Sequence, residues 1–287
     1  MDILYAWIAA IASGISPLVI KATGKSVVKS PWLFNVLWVG FGIPPIAVYA
    51  LIKGGSMPAD WASILALAIS YALFFALYTL AIYKIDVTTM APLFSLRTVF
   101  AAILGVFVLN ETISIIGIFL IIVIVLASPL AAYDEHQKLR SFKQPGVLIA
   151  VAAMVSLALM GYFTNLAVQK NGFASTILWQ DIITLTIMMP TLVFVPKKDL
   201  KLDFKRVRPF MLLATTGFIY TATATLAYAN NLTLSSVIVS LPLSMFFAFA
   251  LSRKFKGFLE HHPLKVYVIR FSGAAVMVIC AIALSII

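Results

Sequence analysis

The chain consists of long apolar runs separated by short polar connections. One run, TTMAPLFSLRTVFAAILGVFVLNE, extends from Thr88 to Glu111, and connections such as KGGSMPAD and PKKDLKLDFKRVRP separate others. A membrane-spanning helix needs about 20 mainly apolar residues. Ten segments meet this requirement, at 3–22, 31–52, 61–82, 88–109, 113–132, 146–168, 174–195, 208–229, 233–252 and 264–286. The pattern therefore predicts an all-α integral membrane protein with ten transmembrane helices.

Composition excludes the class of soluble proteins. The residues are 62% hydrophobic and 11% charged, whereas soluble domains carry about 25% charged residues. A soluble protein of 287 residues could not hide so much apolar surface. The lipid bilayer is thus an expected partner, and the plasma membrane is the expected location of a multi-pass chain.

Lysine and arginine are distributed unevenly between the two sides of the predicted membrane protein. Of the 21 such residues, 18 lie in or beside the loops that follow the odd-numbered helices. Lys53 and Lys170 lie on the opposite side, and Arg97 lies within a span. The positive-inside rule places the basic side in the cytoplasm, so we expect both termini to be non-cytoplasmic. We attribute the net charge of +11 to this orientation rather than to binding of nucleic acid.

The two halves of the chain resemble each other weakly. SPWLFNVLW aligns with STILWQDII, which matches Asn35 with Gln180. The predicted halves, 1–140 and 141–287, contain five spans each. An odd number of spans makes the two halves enter the membrane from opposite sides, so the sequence predicts two inverted five-helix repeats, as in many secondary transporters.

Three short motifs carry a resemblance to a known family. GVFVLNETISIIG, from Gly105 to Gly117, resembles the Gly-Glu pair that closes helix 4 in the drug/metabolite transporter (DMT) superfamily, in its ten-helix, EamA-type form. GISPLVIKATGK resembles the Gly-rich first helix of that family, and SLPLSMFFAFALSRKF resembles its helix 9 with a proline in the middle. We interpret Glu111, within the first motif, as a loop or capping acid.

The resemblance implies a secondary transporter, either a permease or an exporter, of a small organic metabolite. An amino acid or another carboxylate or zwitterion is the expected class of solute. Transporters with inverted repeats bind the solute near the midplane of the membrane and expose it to each side in turn. Two alternatives stay open: a channel-like facilitator on the same fold, and a flippase of a lipid-linked phosphate. We expect a monomer or a homodimer.

Arg97 is the most unusual residue within a predicted span. It is the tenth residue of the segment 88–109, about 13–14 Å from the end of that helix at ~1.5 Å per residue. A charge at this depth costs at least ~2.5–3.5 kcal/mol, so we expect it to face a protein interior or water. Its planar guanidinium could bind an anionic group of the solute with two parallel hydrogen bonds. Alternatively, it forms a structural ion pair between helices.

Asp181 is the acidic counterpart of Arg97. It lies about eight residues into the predicted helix 174–195. Four roles are open to its carboxylate: it could pair with Arg97, bind the amine of a zwitterion, carry the proton that couples transport, or serve as a packing acid between helices.

Amide and aromatic residues complete the set of candidate substrate-binding residues. Asn35 and Gln180 could contact an organic solute in a pocket, or they could join helices through hydrogen bonds. Tyr78, Trp179 and Tyr220 are the aromatic candidates, although aromatic stripes on helices more often serve packing.

Two prolines inside predicted helices are candidate gating kinks. Pro17 lies in the first helix and Pro242 in the ninth. A proline inside a helix removes one backbone hydrogen bond and bends the helix.

The sequence lacks the patterns that enzymes and metal sites require. His136, His261 and His262 lie in loops, and no His/Cys cluster has the spacing of metal ligands. No acidic pair or Ser/His/Asp set falls at membrane depth. We therefore expect no enzymatic activity, no metal and no cofactor.

Overall fold

The part of the protein that the structure describes is predominantly helical. The computed structural model describes residues 2–28, 30–84, 87–131, 133, 145–200, 203–252 and 264–286. These residues form no strand, which confirms the prediction of an all-α fold. The helices are α1 (Asp2–Val27), α2 (Pro31–Ile52), α3 (Trp61–Lys84), α4 (Val87–Phe107), α5 (Ile115–Ala131), α6 (Pro145–Asn171), α7 (Phe173–Met188), α8 (Phe204–Asn230), α9 (Leu232–Val239), α10 (Leu243–Ser252) and α11 (Leu264–Ile286). His136, His261 and His262 lie outside the described residues, as do the basic stretches 134–144 and 253–263.

Seven helical stretches of the described chain are long and apolar enough to cross a membrane. They are Pro31–Ile52, Trp61–Ala81, Gly146–Asn171, Phe173–Phe194, Phe210–Asn230, Leu232–Leu251 and Leu264–Ile286. Three shorter apolar helices accompany them, at Ile3–Ile15, Leu96–Phe107 and Ile115–Ala131. The protein is therefore a multi-pass membrane protein, as its composition predicts.

The predicted span 233–252 is not one continuous helix. α9 ends at Val239, and α10 begins at Leu243. Pro242 lies between them, where it has no N–H to donate and its ring fixes φ. By contrast, the helix α1 continues without interruption through Pro17. The side chain of Pro17 is outside the part of the chain that the structure describes.

A second departure from the predicted helices follows α7. The sequence predicts one helix over 174–195, but the α-helix ends at Met188 and a 3₁₀ helix occupies Met189–Phe194. Pro190 lies in the first turn of that 3₁₀ helix, a position where the missing N–H costs no hydrogen bond.

Helices from the first half of the chain pack against helices from the second half. α3 packs along α6, α1 along α8, and α5 along α11. α2 lies against both α7 and α8, and α4 lies against α6 and α9. Gly14 permits α1 to approach α10 closely, because a Cβ atom at this position would lie only 3.0 Å from the Cβ of Leu243. The central core is therefore shared by helices that are distant in sequence.

Polar contacts join the start of α3 to the end of α6, and we call this end of the bundle the Asp60 end. The Asp60 carboxylate lies 3.1 Å from the Lys170 ammonium. The backbone N–H of Asp60 donates to Asn171 Oδ1 at 2.7 Å, and Asn171 Nδ2 donates to Ser63 Oγ at 3.0 Å. Hydrogen bonding from Ser63 and the neighbouring Lys170 hold the pKa of Asp60 below its usual value.

Glu111 joins the end of α4 to the start of α9. Its Oε1 accepts from the backbone N–H of Leu232 at 2.5 Å, and its Oε2 accepts from that of Thr233 at 3.0 Å. Asn231 accepts from the N–H of Leu234 at 2.7 Å. Gly105 leaves room for this arrangement, because a Cβ there would clash with the Glu111 carboxylate. Glu111 thus caps a helix that lies far away in sequence, where the N–H groups of the first turn have no helical partners.

Candidate functional site

A narrow cavity lies between four helices of the central core. The empty space among its lining atoms, including the part that opens to the surroundings, amounts to about 220 Å³. Its walls come from α3, α6, α7 and α8, and they carry many hydroxyl groups. The lining residues are Tyr71, Met160, Thr164, Gln180, Tyr220, Thr221, Ala224, Thr225 and Tyr228. Hydroxyl and amide groups on an otherwise apolar wall are typical of sites that orient a small organic ligand.

One face of α8 supplies most of the cavity wall. Positions 220, 221, 224, 225 and 228 share that face, because residues three and four apart are neighbours on a helix. The Tyr71 hydroxyl on α3 makes a side-chain hydrogen bond with Thr221. This contact connects α3 to α8 across the cavity.

Arg97 lies beside this cavity, near the middle of α4. Its side chain is only 4% exposed. The Cζ atom lies 5.4 Å from the centroid of the Tyr228 ring, within the range of a cation–π interaction. The Tyr220 hydroxyl also lies within hydrogen-bonding reach of the guanidinium. Two tyrosines of the cavity wall thus hold Arg97 in place.

The guanidinium of Arg97 keeps one edge free. Its Nε and Nη2 atoms are buried and have no hydrogen-bond partner. These two nitrogens lie on the same edge of the planar group, so they can donate two parallel hydrogen bonds to one ligand. A buried and unsatisfied donor is costly, which makes this edge the strongest indication of a binding site in the described chain.

Asp181 lies on α7 and is also 4% exposed. Its Oδ1 accepts from Gln180 Nε2 at 3.1 Å, and Gln180 lines the cavity. It is close enough to Tyr71 to interact with that side chain electrostatically. Gly42 of α2 faces the carboxylate, since a Cβ there would lie 4.0 Å from Oδ2. Asp181 and Gln180 therefore lie together at the α7 side of the cavity.

Arg97 and Asp181 do not form an ion pair, although both are described and both are buried. Gln180 is the hydrogen-bonding side chain at the Asp181 carboxylate. The hypothesis of a structural ion pair between these two residues therefore finds no support in the geometry.

Asn35 and Trp179 lie away from the cavity wall, as does Tyr78. Asn35 donates from Nδ2 to the Phe75 carbonyl at 3.2 Å and accepts at Oδ1 from the Thr79 hydroxyl at 2.7 Å. It joins α2 to α3, as the alternative of an interhelical hydrogen bond requires. Trp179 donates to the Ser56 carbonyl at 2.9 Å. This contact places Trp179 at the Asp60 end.

Tyr78 takes part in an aromatic cluster on α3. Its ring stacks on Phe74, with 5.3 Å between centroids. Among the aromatic candidates, Tyr220 is the one that lines the cavity. Pro242 lies at the break between α9 and α10, and α1 is continuous at Pro17.

Several wall residues are absent from the sequence-derived set of candidates. Tyr71, Thr164, Thr221, Thr225 and Tyr228 all line the cavity. The stripes of hydroxyl residues along α8 indicate a polar face in the sequence. They do not indicate which helices this face meets, and for that reason Tyr228 could not be chosen as a partner of Arg97.

Comparison with known proteins supports the family that the three short sequence motifs indicate. Residues 1–132 match the model of the EamA-like transporter family. The first half of the chain is EamA-like. The resemblance to the DMT superfamily is thereby confirmed, and EamA-like proteins are membrane transporters of this type.

A solved structure shares the fold of this chain. One crystal structure superposes on the chain with a TM-score of 0.77, covering 99% of this chain and 98% of its own. The two sequences are 14% identical, so this likeness shows a shared fold and nothing about the solute. No curated protein matches the sequence.

Proposed function

We propose that the protein is a secondary transporter that binds one small organic solute at the cavity beside Arg97 and exposes it to each side of the membrane in turn. The EamA-like first half supports transport as the activity. The observation that carries the proposal is the free Nε–Nη2 edge of a guanidinium that is almost completely buried. A central charge of this kind costs at least ~2.5–3.5 kcal/mol, and a transporter can offset this cost when it binds an anionic group.

Ten spans in two inverted repeats are part of this proposal. If the halves are repeats, α1, α2 and α3 correspond to α6, α7 and α8, whereas α4 corresponds to α9 and α10 together and α5 to α11. A contact between two helices should then recur between their counterparts. The pair α3–α6 then corresponds to α8–α1, and α2–α8 corresponds to α7–α3. All four pairs are in contact. This pattern supports an inverted repeat, whose interface is where transporters of this architecture bind their solutes.

The proposed solute is a carboxylate or a zwitterion such as an amino acid. Arg97 supplies the positive charge for its anionic group. Asp181 and Gln180, on the α7 side of the cavity, are placed to accept hydrogen bonds from an amine. The two buried charges therefore have separate roles, in agreement with the absence of an ion pair between them.

Reconstitution into liposomes tests the proposed function. Purified protein is first screened by thermal shift against amino acids and small carboxylates, because a ligand at 100 times its Kd stabilises a protein by about 2.7 kcal/mol. The best ligand is then used in counterflow, with unlabelled solute inside the liposomes. A transporter gives saturable uptake that internal solute accelerates. Uptake that rises linearly with concentration and does not respond to internal solute would instead indicate a channel-like facilitator.

Proton coupling is the alternative role that we propose for Asp181, in place of amine binding, and one substitution distinguishes the two. In a proton-driven transporter, Asp181→Asn should abolish uphill accumulation and retain exchange. Thr186→Ala on the exposed face of the same helix is a matched control. Unchanged uphill transport in Asp181→Asn would exclude this role, and equal loss of both modes would indicate that Asp181 binds the solute directly.

A further inference from the structure

Buried donors without partners are concentrated at Arg97 and Tyr228. Within the described residues, seven buried side-chain nitrogen and oxygen atoms have no hydrogen-bond partner, and three of them are Arg97 Nε, Arg97 Nη2 and the Tyr228 hydroxyl. The two side chains are in contact, since the guanidinium lies over the Tyr228 ring. Native proteins rarely leave buried polar groups unpaired, so such a concentration requires an explanation.

We propose that Arg97 and Tyr228 form a three-donor site for a single carboxylate group, in which the Nε–Nη2 edge of Arg97 binds both oxygens and the Tyr228 hydroxyl donates a third hydrogen bond. This inference rests on the proposed function and adds to it a binding residue, Tyr228, and the arrangement of the donors. Tyr228 has two roles: its ring holds the guanidinium in position, and its hydroxyl contacts the solute.

The geometry of the donors favours a planar anion. Arg97 presents two N–H groups in one plane, and this arrangement matches the two oxygens of a carboxylate. The Tyr220 hydroxyl and the Tyr228 ring restrict the guanidinium from other directions. The Nε–Nη2 edge is therefore the part of the guanidinium that is left to bind an anion.

The balance of buried charge favours a monoanion over a phosphate dianion. Arg97 and Asp181 are the two charged residues that are buried in the described chain. One carboxylate would neutralise Arg97. A dianionic phosphate would leave an excess negative charge in the same low-dielectric core that already contains Asp181, and uncompensated buried charge is strongly unfavourable.

The test uses purified full-length protein and simple anions as probes. Thermal stability is measured in acetate, in inorganic phosphate and in chloride at equal ionic strength. The expected result is a concentration-dependent stabilisation by acetate that exceeds that by phosphate. Arg97→Met should abolish this response. Tyr228→Phe should weaken the apparent affinity for acetate about tenfold, because a hydrogen bond to a charged group is lost.

A matched control separates binding from folding. Tyr49 also lies beneath a cation, with Lys53 Nζ 5.9 Å from its ring centroid, but this pair lies at the end of α2 away from the cavity. Tyr49→Phe should leave the acetate response unchanged. In chloride, Tyr228→Phe should be as stable as the unmodified protein or more stable, because the hydroxyl that it removes has no partner.

Three results would overturn the carboxylate site. They are an acetate response that Tyr228→Phe leaves intact, a phosphate response equal to or larger than the acetate response, and the absence of any specific anion response. Each can occur while counterflow in liposomes still shows saturable exchange. In that case the proposed transport function stands and the carboxylate site alone is rejected.

Discussion

The Glu111 carboxylate accepts a hydrogen bond at 2.5 Å from the backbone N–H of Leu232, which lies 121 residues later in the chain. The acceptor follows α4, and the donor is the first residue of α9. A carboxylate at the start of a helix satisfies N–H groups that have no partner in the helix and interacts favourably with the helix dipole. The start of α9 is therefore fixed to the first half of the chain.

Glu111→Ala should lower the stability of the protein. The loss of an N-terminal cap typically costs about 0.5–2 kcal/mol, and we expect a corresponding decrease in Tm in detergent. Glu111→Gln keeps one acceptor oxygen and should cost less. Thr112→Ala, at an exposed neighbouring position, is the control. Equal Tm values for Glu111→Ala and Thr112→Ala would show that the cap contributes nothing.

The effects of neutralising Arg97 and Asp181 should be independent. Residues that share no partner usually have additive effects on stability, within about 0.3–0.5 kcal/mol. We therefore expect the double variant Arg97→Met/Asp181→Leu to show the sum of the two single effects in thermal unfolding. Solute uptake should be lost in Arg97→Met, and it should stay lost in the double variant. Restored uptake in the double variant would revive the ion-pair hypothesis and contradict the role of Arg97 as an anion anchor.

The contribution of Asp60 to stability should depend on pH. Its pKa is lowered in the folded protein by hydrogen bonding from Ser63 and by Lys170. A lowered pKa means that the unfolded chain binds the proton more readily, so stability rises with pH through this range. The contribution is present above the unfolded pKa of about 3.9, and it is lost as the pH falls through the lower folded value.

Comparison of Asp60→Asn with the unmodified protein checks this expectation. The Tm difference between them should be largest near neutral pH and should shrink as the pH is lowered below about 4. Asp203 is a matched control, because it is exposed and its side chain makes no capping hydrogen bond. A Tm difference for Asp60→Asn that does not change with pH would contradict the assignment.

The distribution of basic residues predicts the orientation of the protein in the membrane. With 18 of the 21 lysine and arginine residues on one predicted side, the positive-inside rule places both termini on the opposite, non-cytoplasmic side. A reporter that is active only in the cytoplasm should therefore be silent when it is fused to the C-terminus. A bright reporter would indicate the reverse orientation or an odd number of spans.

The hydropathy pattern predicts the positions of helices well. The sequence predicts a helix over 88–109, and α4 occupies Val87–Phe107, with Arg97 in the middle of both. This agreement has a physical reason: the thickness of the bilayer sets the length of an apolar run, and that length can be counted in the sequence. Breaks inside an apolar run are harder to predict. The sequence from Ser240 to Pro242 is as compatible with a kinked helix as with the observed interruption between α9 and α10.

The partners of polar side chains could not be predicted, because they depend on which helices meet. Asn35 and Gln180 occupy matching positions in the repeat alignment, yet Asn35 is satisfied by Thr79 and Phe75 while Gln180 lines the cavity. The depth of Arg97 could be derived from the sequence. Its contact with Tyr228 could not, since no periodicity in α4 or α8 specifies their mutual rotation.

The pairing of α3 with α6 and of α1 with α8 has a consequence for biogenesis. A ribosome delivers the EamA-like segment 1–132 to the membrane before α6 and α8 have been synthesised. Tyr71 of α3 then has no Thr221 to bind, and Glu111 has no α9 to cap. Contacts such as that between α4 and α5 can form at this stage, but the central core can be completed only after α8 and α9 have been inserted.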